Sequence, residues 1–182
     1  MPIEGTGWEI HVRRVAEEMR GGKRRTRGRY QVYRDGVPVA GLAGWCAETR
    51  GPGDNATADN KRRIEAGRYP LRTHKGDNYV TRGYSASEDE DALPKPSLGL
   101  MQTGARYDIL IHPGRKFLSS VGCINLSRRL TNAEADIDYI DSRTRVIAVI
   151  DDLAAYLGRD FPNAGNRRIP RAFAVVDGEP GL

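Results

Sequence analysis

Residues 8–12 read Trp-Glu-Ile-His-Val, in which apolar and polar side chains alternate with the period of a β-strand. A helical face fits the same residues less well, because Gly21-Gly22 follows them and is typical of a hairpin turn. The next alternating run is Thr26–Tyr33, and Asp35-Gly36 then gives a strong hairpin signal before the return run Val37–Ala47. The opening part of the chain therefore predicts a β-meander.

Further strands are predicted along the rest of the chain. A turn leads into an apolar run at Ile64–Leu71, and Tyr107–Ile111 has the continuous apolar character of a buried strand. Shorter strands are expected at Cys123–Leu126 and Arg171–Val176. The chain is therefore rich in strands over most of its length.

One helix is predicted near the end of the chain. It would begin with Ser142 as its N-cap, carry an apolar stripe and end at Leu157, before Gly158. No linker or internal repeat interrupts residues 1–182, so a single domain is expected, with its core over about 8–176. The fold class is β-rich mixed α/β, either a small β-sandwich or a curled sheet with this one C-terminal helix packed on it.

Composition indicates an ordinary globular domain, with 38% apolar and 29% charged residues. No run approaches the ~18–20 apolar residues of a membrane helix, and the N-terminus lacks the basic start and apolar run of a secretory signal. We therefore expect synthesis in the cytoplasm and, for any role outside it, export by another route.

The net charge is +5, and six basic residues lie between Arg20 and Arg29. This run could contact nucleic acid or an anionic wall polymer. No nucleic-acid-binding signature accompanies it, so a solvated hairpin is the preferred interpretation and no nucleic-acid partner is expected.

The two cysteines, Cys46 and Cys123, show no metal-type spacing, and neither His11 nor His74 lies in a motif that would complete a ligand set. We therefore expect no metal and no cofactor. Cys46 follows Trp45 in a predicted strand and is interpreted as a buried small residue. A disulfide between the two cysteines would need an oxidising compartment and is disfavoured.

Chemistry is indicated by one stretch, Ile109-Leu-Ile-His-Pro-Gly-Arg-Lys-Phe-Leu-Ser-Ser-Val-Gly-Cys-Ile-Asn-Leu126. A buried strand would deliver His112 at its end, and a short loop would return the chain to Cys123 on a neighbouring strand. A thiol near its ordinary pKa of ~8.5 is only a few per cent thiolate at neutral pH, and a nearby imidazole can take its proton and later return it to a leaving amine. Gly122 leaves room for a substrate carbonyl, and the backbone N–H groups of residues 121–123 could hold the oxyanion.

This stretch resembles the catalytic domain of L,D-transpeptidases, which joins a strand-end histidine to a Ser-x-Gly-Cys motif, here Ser120-Val-Gly-Cys123. A closer likeness is to a short-loop branch of bacterial and phage proteins in which His-Pro-Gly is followed by Gly-Cys-Ile. The meander ending in Glu48, the turn at Ile64–Tyr69 and Ser142-Arg143 at the late helix are similar as well. The resemblance implies an L,D-transpeptidase-like fold and acyl transfer on peptidoglycan stem peptides.

Position by position, the resemblance implies that Cys123 is the nucleophile and His112 its base. Ser120 and Gly122 match the positions that shape the oxyanion hole. Asn125 matches a position that orients catalytic or substrate groups.

Two features depart from the family pattern. The spacing from His112 to Cys123 is several residues shorter than is typical, and Val121 stands where a histidine is usual, so the acceptor side of the site differs. In the intervening loop, Arg115 and Lys116 either meet a peptide carboxylate or lie on the solvated surface. The long, poorly periodic stretch 76–99 suggests a lid over or beside the groove, or else a remote surface insertion.

The expected reaction is a two-step acyl transfer in which D-alanine leaves a tetrapeptide stem and water or an amine resolves the thioester. Transpeptidase, L,D-carboxypeptidase and endopeptidase outcomes all share these residues. The chain could be a secreted antibacterial effector, with export machinery and an immunity partner, or a phage enzyme, acting in the periplasm or cell wall. The alternatives are a non-catalytic wall-binding component of a phage or secretion apparatus and a cytoplasmic cysteine hydrolase.

Overall fold

The computed structural model describes residues 2–181. These residues form ten strands, one α-helix and a short 3-10 turn. In chain order the elements are β1 (Trp8–Arg20), β2 (Lys23–Arg34), β3 (Val37–Thr49), β4 (Gly67–Arg72), β5 (Tyr79–Val80), β6 (Lys95–Pro96), β7 (Leu98–Leu100), β8 (Leu110–Pro113), β9 (Ile124–Ser127), α1 (Tyr139–Leu157), the 3-10 turn (Gly158–Asp160) and β10 (Arg168–Asp177).

Eight strands close into a barrel in the order β1-β10-β4-β7-β8-β9-β3-β2, while β5 and β6 pair separately. Most neighbours in the barrel are antiparallel, but β1 and β10 are parallel, as are β8 and β9. The predicted β-rich class with one late helix is confirmed. Of the two arrangements that the sequence left open, the curled sheet is the one that these strands form.

Two tight turns build the meander β1–β2–β3, as the sequence predicts. Gly21 and Gly22 both have positive φ, at 56° and 76°, and Asp35 and Gly36 likewise, at 47° and 79°. Positive φ at both central residues gives a turn whose twist matches that of the flanking strands. The local glycine signals therefore fix the first three strands as neighbours.

Helix α1 begins earlier than predicted. Its N-cap is Asp138, whose carboxylate accepts a hydrogen bond from the Asp141 backbone N–H at 2.7 Å. The N-cap prediction for Ser142 is therefore wrong. The Ser142 hydroxyl instead accepts from the Gly114 N–H at 2.9 Å and donates to the Leu126 carbonyl oxygen at 2.5 Å. It fastens the helix to β8 and β9, the strands of the candidate site.

The apolar stripe of α1 packs into the main core. Its buried members are Val146, Val149, Ile150, Leu153 and Leu157. They join a cluster that includes Trp8 from β1, Ile111 from β8 and Ile124 from β9. Full burial of such a side chain stabilises a fold by ~1.5–3 kcal/mol, so the helix holds the site strands firmly in place.

Two local predictions are wrong for physical reasons. The strand predicted at Tyr107–Ile111 begins only at Leu110, because the Tyr107 side chain is largely exposed and Asp108 adopts left-handed backbone with φ of 50°. The basic hairpin is not solvated throughout, because the Arg25 guanidinium is fully buried and donates to loop carbonyl oxygens.

Among residues 2–181 no helix combines the length and the apolar character that crossing a bilayer would require.

Candidate active site

The parallel pair β8 and β9 sets the geometry of the site. Its register places Ile111 opposite Ile124 and His112 opposite Asn125. Ile111 and Ile124 belong to the core, so the alternate residues His112 and Asn125 project from the other face of the sheet. Cys123 directly precedes β9, and its sulfur contacts the Leu110 N–H at the start of β8. The residue predicted as base therefore lies on β8, and the predicted nucleophile lies beside the start of the same strand.

The His112 ring is fixed in one tautomer. Its Nδ1 lies 2.7 Å from the Pro113 carbonyl oxygen, which can only accept, so Nδ1 carries the proton. Nε2 makes no hydrogen bond within residues 2–181, and its lone pair is free. The Tyr79 ring packs on the imidazole with centroids 4.5 Å apart. Burial lowers the pKa of His112 to about 4, opposed by the Pro113 bond and reinforced by Lys95, so the imidazole is neutral at pH 7.

The Cys123 thiol is partly exposed and lies against the start of β8. Its sulfur accepts the Leu110 backbone N–H at 3.3 Å and can donate to the Asp108 carbonyl oxygen at 3.5 Å. Burial raises the pKa of Cys123 to about 11, although the Leu110 bond and the charge of Arg106 lower it. Within residues 2–181 no hydrogen bond joins the sulfur to His112. At neutral pH the thiol and the imidazole are therefore both uncharged.

The loop before Cys123 is held from two sides. Ser120 donates its hydroxyl hydrogen to the Cys123 carbonyl oxygen at 2.7 Å, which closes the turn. Gly122 lies so near Arg106 that a Cβ there would be 2.3 Å from Nη2. The Val121 side chain is exposed, while its carbonyl oxygen accepts from Arg106 Nη2 at 3.2 Å. These contacts fix the backbone whose N–H groups the sequence predicted as an oxyanion hole.

Arg106 is a site residue that the sequence did not indicate. It is only 6% exposed, and its Nη1 donates to the carbonyl oxygens of Asp54 at 3.2 Å and Arg62 at 2.8 Å. No motif surrounds it in the sequence. Only the closed barrel brings this loop beside Val121 and Cys123, so no sequence signal could have found it.

Asn125 lies behind the site rather than on its surface. The residue is fully buried, and its Nδ2 donates to the His112 carbonyl oxygen at 3.1 Å. Its Oδ1 has no hydrogen-bond partner within residues 2–181. The side chain has no exposed surface with which to meet a substrate. Of the two roles that the motif position implies, its contact with His112 fits the orientation of a catalytic group.

Arg115 lies at the edge of a large groove, where acidic residues engage it. Its Nη1 forms ion pairs with Glu90 at 2.8 Å and Asp91 at 3.3 Å, both in the acidic run of the long stretch. Its guanidinium is therefore partly neutralised, although the side chain remains 41% exposed.

The large groove beside Arg115 has a volume of about 1030 Å³ and is strongly basic. We name it the basic groove; its charged lining residues are Arg20, Lys23, Arg24, Arg50, Lys61, Lys95, Arg115, Lys116 and Asp136. Asp136 is bound to Arg20, so the single acid neutralises little of the total. Lys23, Lys61 and Lys116 form no ion pair within residues 2–181. The excess positive charge of the chain is concentrated here.

Cys123 lies where two smaller grooves meet. One, of about 680 Å³, is lined by residues 76–79 of the long stretch together with Asp108. The other, of about 320 Å³, is lined by Lys61, Arg106 and Val121 among others. The basic groove shares Tyr79 with the first of these grooves and Val121 with the second. Part of the stretch 76–99 therefore lies beside the thiol, where the lid hypothesis expects it.

Cys46 takes no part in the site. It is a free thiol, 1% exposed in the core, and burial raises its pKa. The interpretation of Cys46 as a structural residue agrees with this position. Within residues 2–181 no group of three or more His, Cys, Asp or Glu side chains is arranged to hold a metal ion.

In comparisons with known proteins, no family model, no curated protein and no solved structure matches the chain.

Proposed function

We propose that the chain is a cysteine acyltransferase of the L,D-transpeptidase type, with an L,D-transpeptidase-like barrel, acting on peptidoglycan stem peptides. One observation carries the proposal: the pairing of β8 with β9 brings the partly exposed Cys123, which directly precedes β9, beside the strand that holds His112, whose Nε2 is free. A nucleophile beside an oriented base is the arrangement that covalent catalysis needs.

The reaction follows from these two groups. The Cys123 proton passes to His112 Nε2 as the sulfur bonds to the scissile carbonyl carbon. The amide C–N bond then breaks, and the leaving amine takes the proton from the imidazolium. Backbone N–H groups of residues 121–123 stabilise the oxyanion formed between these steps. Water or a second amine then attacks the thioester and regenerates the thiol.

The convergence of grooves suits a reaction with two substrates. An acyl donor and an acceptor must reach the same carbon in turn, and each needs its own approach to the thiol. Separate openings lie on either side of Cys123, bordered by Tyr79 and Val121. This arrangement supports acyl transfer over simple binding.

Incubation of the purified protein with muropeptides, followed by mass spectrometry, tests the proposal. We expect loss of D-alanine from tetrapeptide stems, or new cross-links where an amine is supplied. A Cys123→Ala protein serves as the control, because it keeps the grooves and lacks the nucleophile. Unchanged muropeptides under all conditions would overturn the assignment.

A second candidate is a wall-binding component without chemistry. The basic groove favours it, because unpaired lysines can hold an anionic wall polymer whether or not Cys123 reacts. Binding of the protein to isolated sacculi, with muropeptides left unchanged, would select this candidate over the enzyme.

A further inference from the structure

We propose that Arg106 binds a free carboxylate on the residue that leaves, so that the site acts at the C-terminal end of a stem peptide and not within a longer chain. This inference rests on the proposed function and adds the residue that recognises the leaving group. It also separates outcomes that the catalytic pair leaves open, because an endopeptidase has no carboxylate at that position.

Arg106 lacks a counter-ion among residues 2–181. Arg106 is buried beside the nucleophile, yet it forms no ion pair with any carboxylate of residues 2–181. Its partners are three backbone carbonyl oxygens, those of Asp54, Arg62 and Val121. Buried charges are normally paired, because dipoles alone compensate the loss of water incompletely. An incoming anion would complete the site.

Arg106 also has N–H groups that remain free to donate hydrogen bonds. A guanidinium has five N–H groups, and three of those of Arg106 are used in these carbonyl contacts. Its Nε makes no hydrogen bond within residues 2–181. Two N–H groups are therefore available, which is the number that a carboxylate accepts from one arginine.

The position of Arg106 beside Cys123 also suits binding of the leaving residue. Arg106 and Cys123 line the same groove of about 320 Å³. The carboxylate of a C-terminal residue lies about one residue length, ~3.5 Å, from the scissile carbonyl carbon. Of the two acids in this groove, Asp108 is held by Arg72 at 2.9 Å, and Asp59 is exposed. Neither carboxylate forms an ion pair with the Arg106 guanidinium.

The experiment compares two synthetic stem tetrapeptides, one ending in D-alanine and the other in D-alanine amide. Charged hydrogen bonds to a buried group predict that kcat/KM is about 10- to 100-fold higher for the acid. Turnover of neither peptide would mean that the proposed function has failed. Equal turnover of both would overturn the carboxylate site alone and leave the enzyme assignment standing.

Variants test whether Arg106 causes the preference for the acid peptide over the amide. Arg106→Gln should reduce the acid-to-amide ratio to less than about threefold, and Arg106→Lys, which keeps the charge, should restore part of it. Arg128→Gln removes an exposed charge elsewhere and is expected to leave the ratio unchanged. Thermal melting identifies any variant that does not fold. In that case the acid-to-amide ratio of kcat/KM measured on the wild-type protein decides the proposal. A wild-type ratio retained in folded Arg106→Gln would refute the assignment.

Discussion

Alkylation of Cys123 by iodoacetamide should be slow at neutral pH and should accelerate steadily as the pH rises. A thiol with a pKa of about 11 is ~0.01% thiolate at pH 7, against ~3% for an ordinary cysteine. The thiolate fraction is thus ~300-fold smaller, while the more basic thiolate is ~10-fold more nucleophilic. We expect alkylation ~30-fold slower than that of free cysteine at pH 7, rising ~10-fold with each pH unit.

Intact-protein mass spectrometry of quenched samples between about pH 5 and 10 measures this rate. A Cys123→Ser protein serves as the control, because the buried Cys46 should not react in the folded state. The slow rate at neutral pH requires that both His112 and the Cys123 thiol are uncharged. A plateau of reactivity that persists below about pH 6 would show an imidazolium–thiolate pair instead, and would refute this prediction.

Three further outcomes are expected. Cys123→Ser should fold and lose all turnover, because an alkoxide is far harder to form than a thiolate, whereas Cys46→Ser should lower the Tm yet keep turnover per folded molecule. Melting and muropeptide assays on one preparation check both. Acidification from pH 7 to 4 should cost about 3 kcal/mol through His112, because the unfolded chain gains a proton near pH 6.5 that the folded protein excludes until about pH 4. This contribution is complete above pH 6.5 and lost as the pH falls, and urea titrations of His112→Asn should lack it. Neutralising Lys23, Lys61 and Lys116 of the basic groove should weaken binding to sacculi and flatten its salt dependence, and a wild-type salt slope would contradict this.

The opening meander and the presence of the late helix could be predicted because their signals are local. Gly21-Gly22 and Asp35-Gly36 specify turns by their own backbone preferences, whatever the rest of the chain does. The position of β10 could not be predicted in this way. Its parallel pairing with β1 joins residues that are far apart in the sequence, and it is fixed only when the barrel closes.

The site was partly predictable for the same reason. The spacing of His112 and Cys123 indicated two adjacent strands, and β8 and β9 do pair. The shift in the pKa of Cys123 could not be predicted, because it comes from burial among residues distant in sequence. The complete burial of Asn125 could not be predicted either, because a motif position does not reveal which way a side chain faces. Its burial behind His112 depends on the pairing of the two strands.

The place of β10 in the barrel has a consequence for how the chain is made. β10 lies between β1 and β4, so two strand edges stay unpaired until residues 168–177 have emerged from the ribosome. Pairing across nearly the whole chain is slow to form, because the long loop must first be closed. A chain in which the other strands have formed before β10 is made therefore exposes two unpaired strand edges, those of β1 and β4. The barrel closes when β10 pairs with both β1 and β4. Deletion of β10 would leave the barrel open.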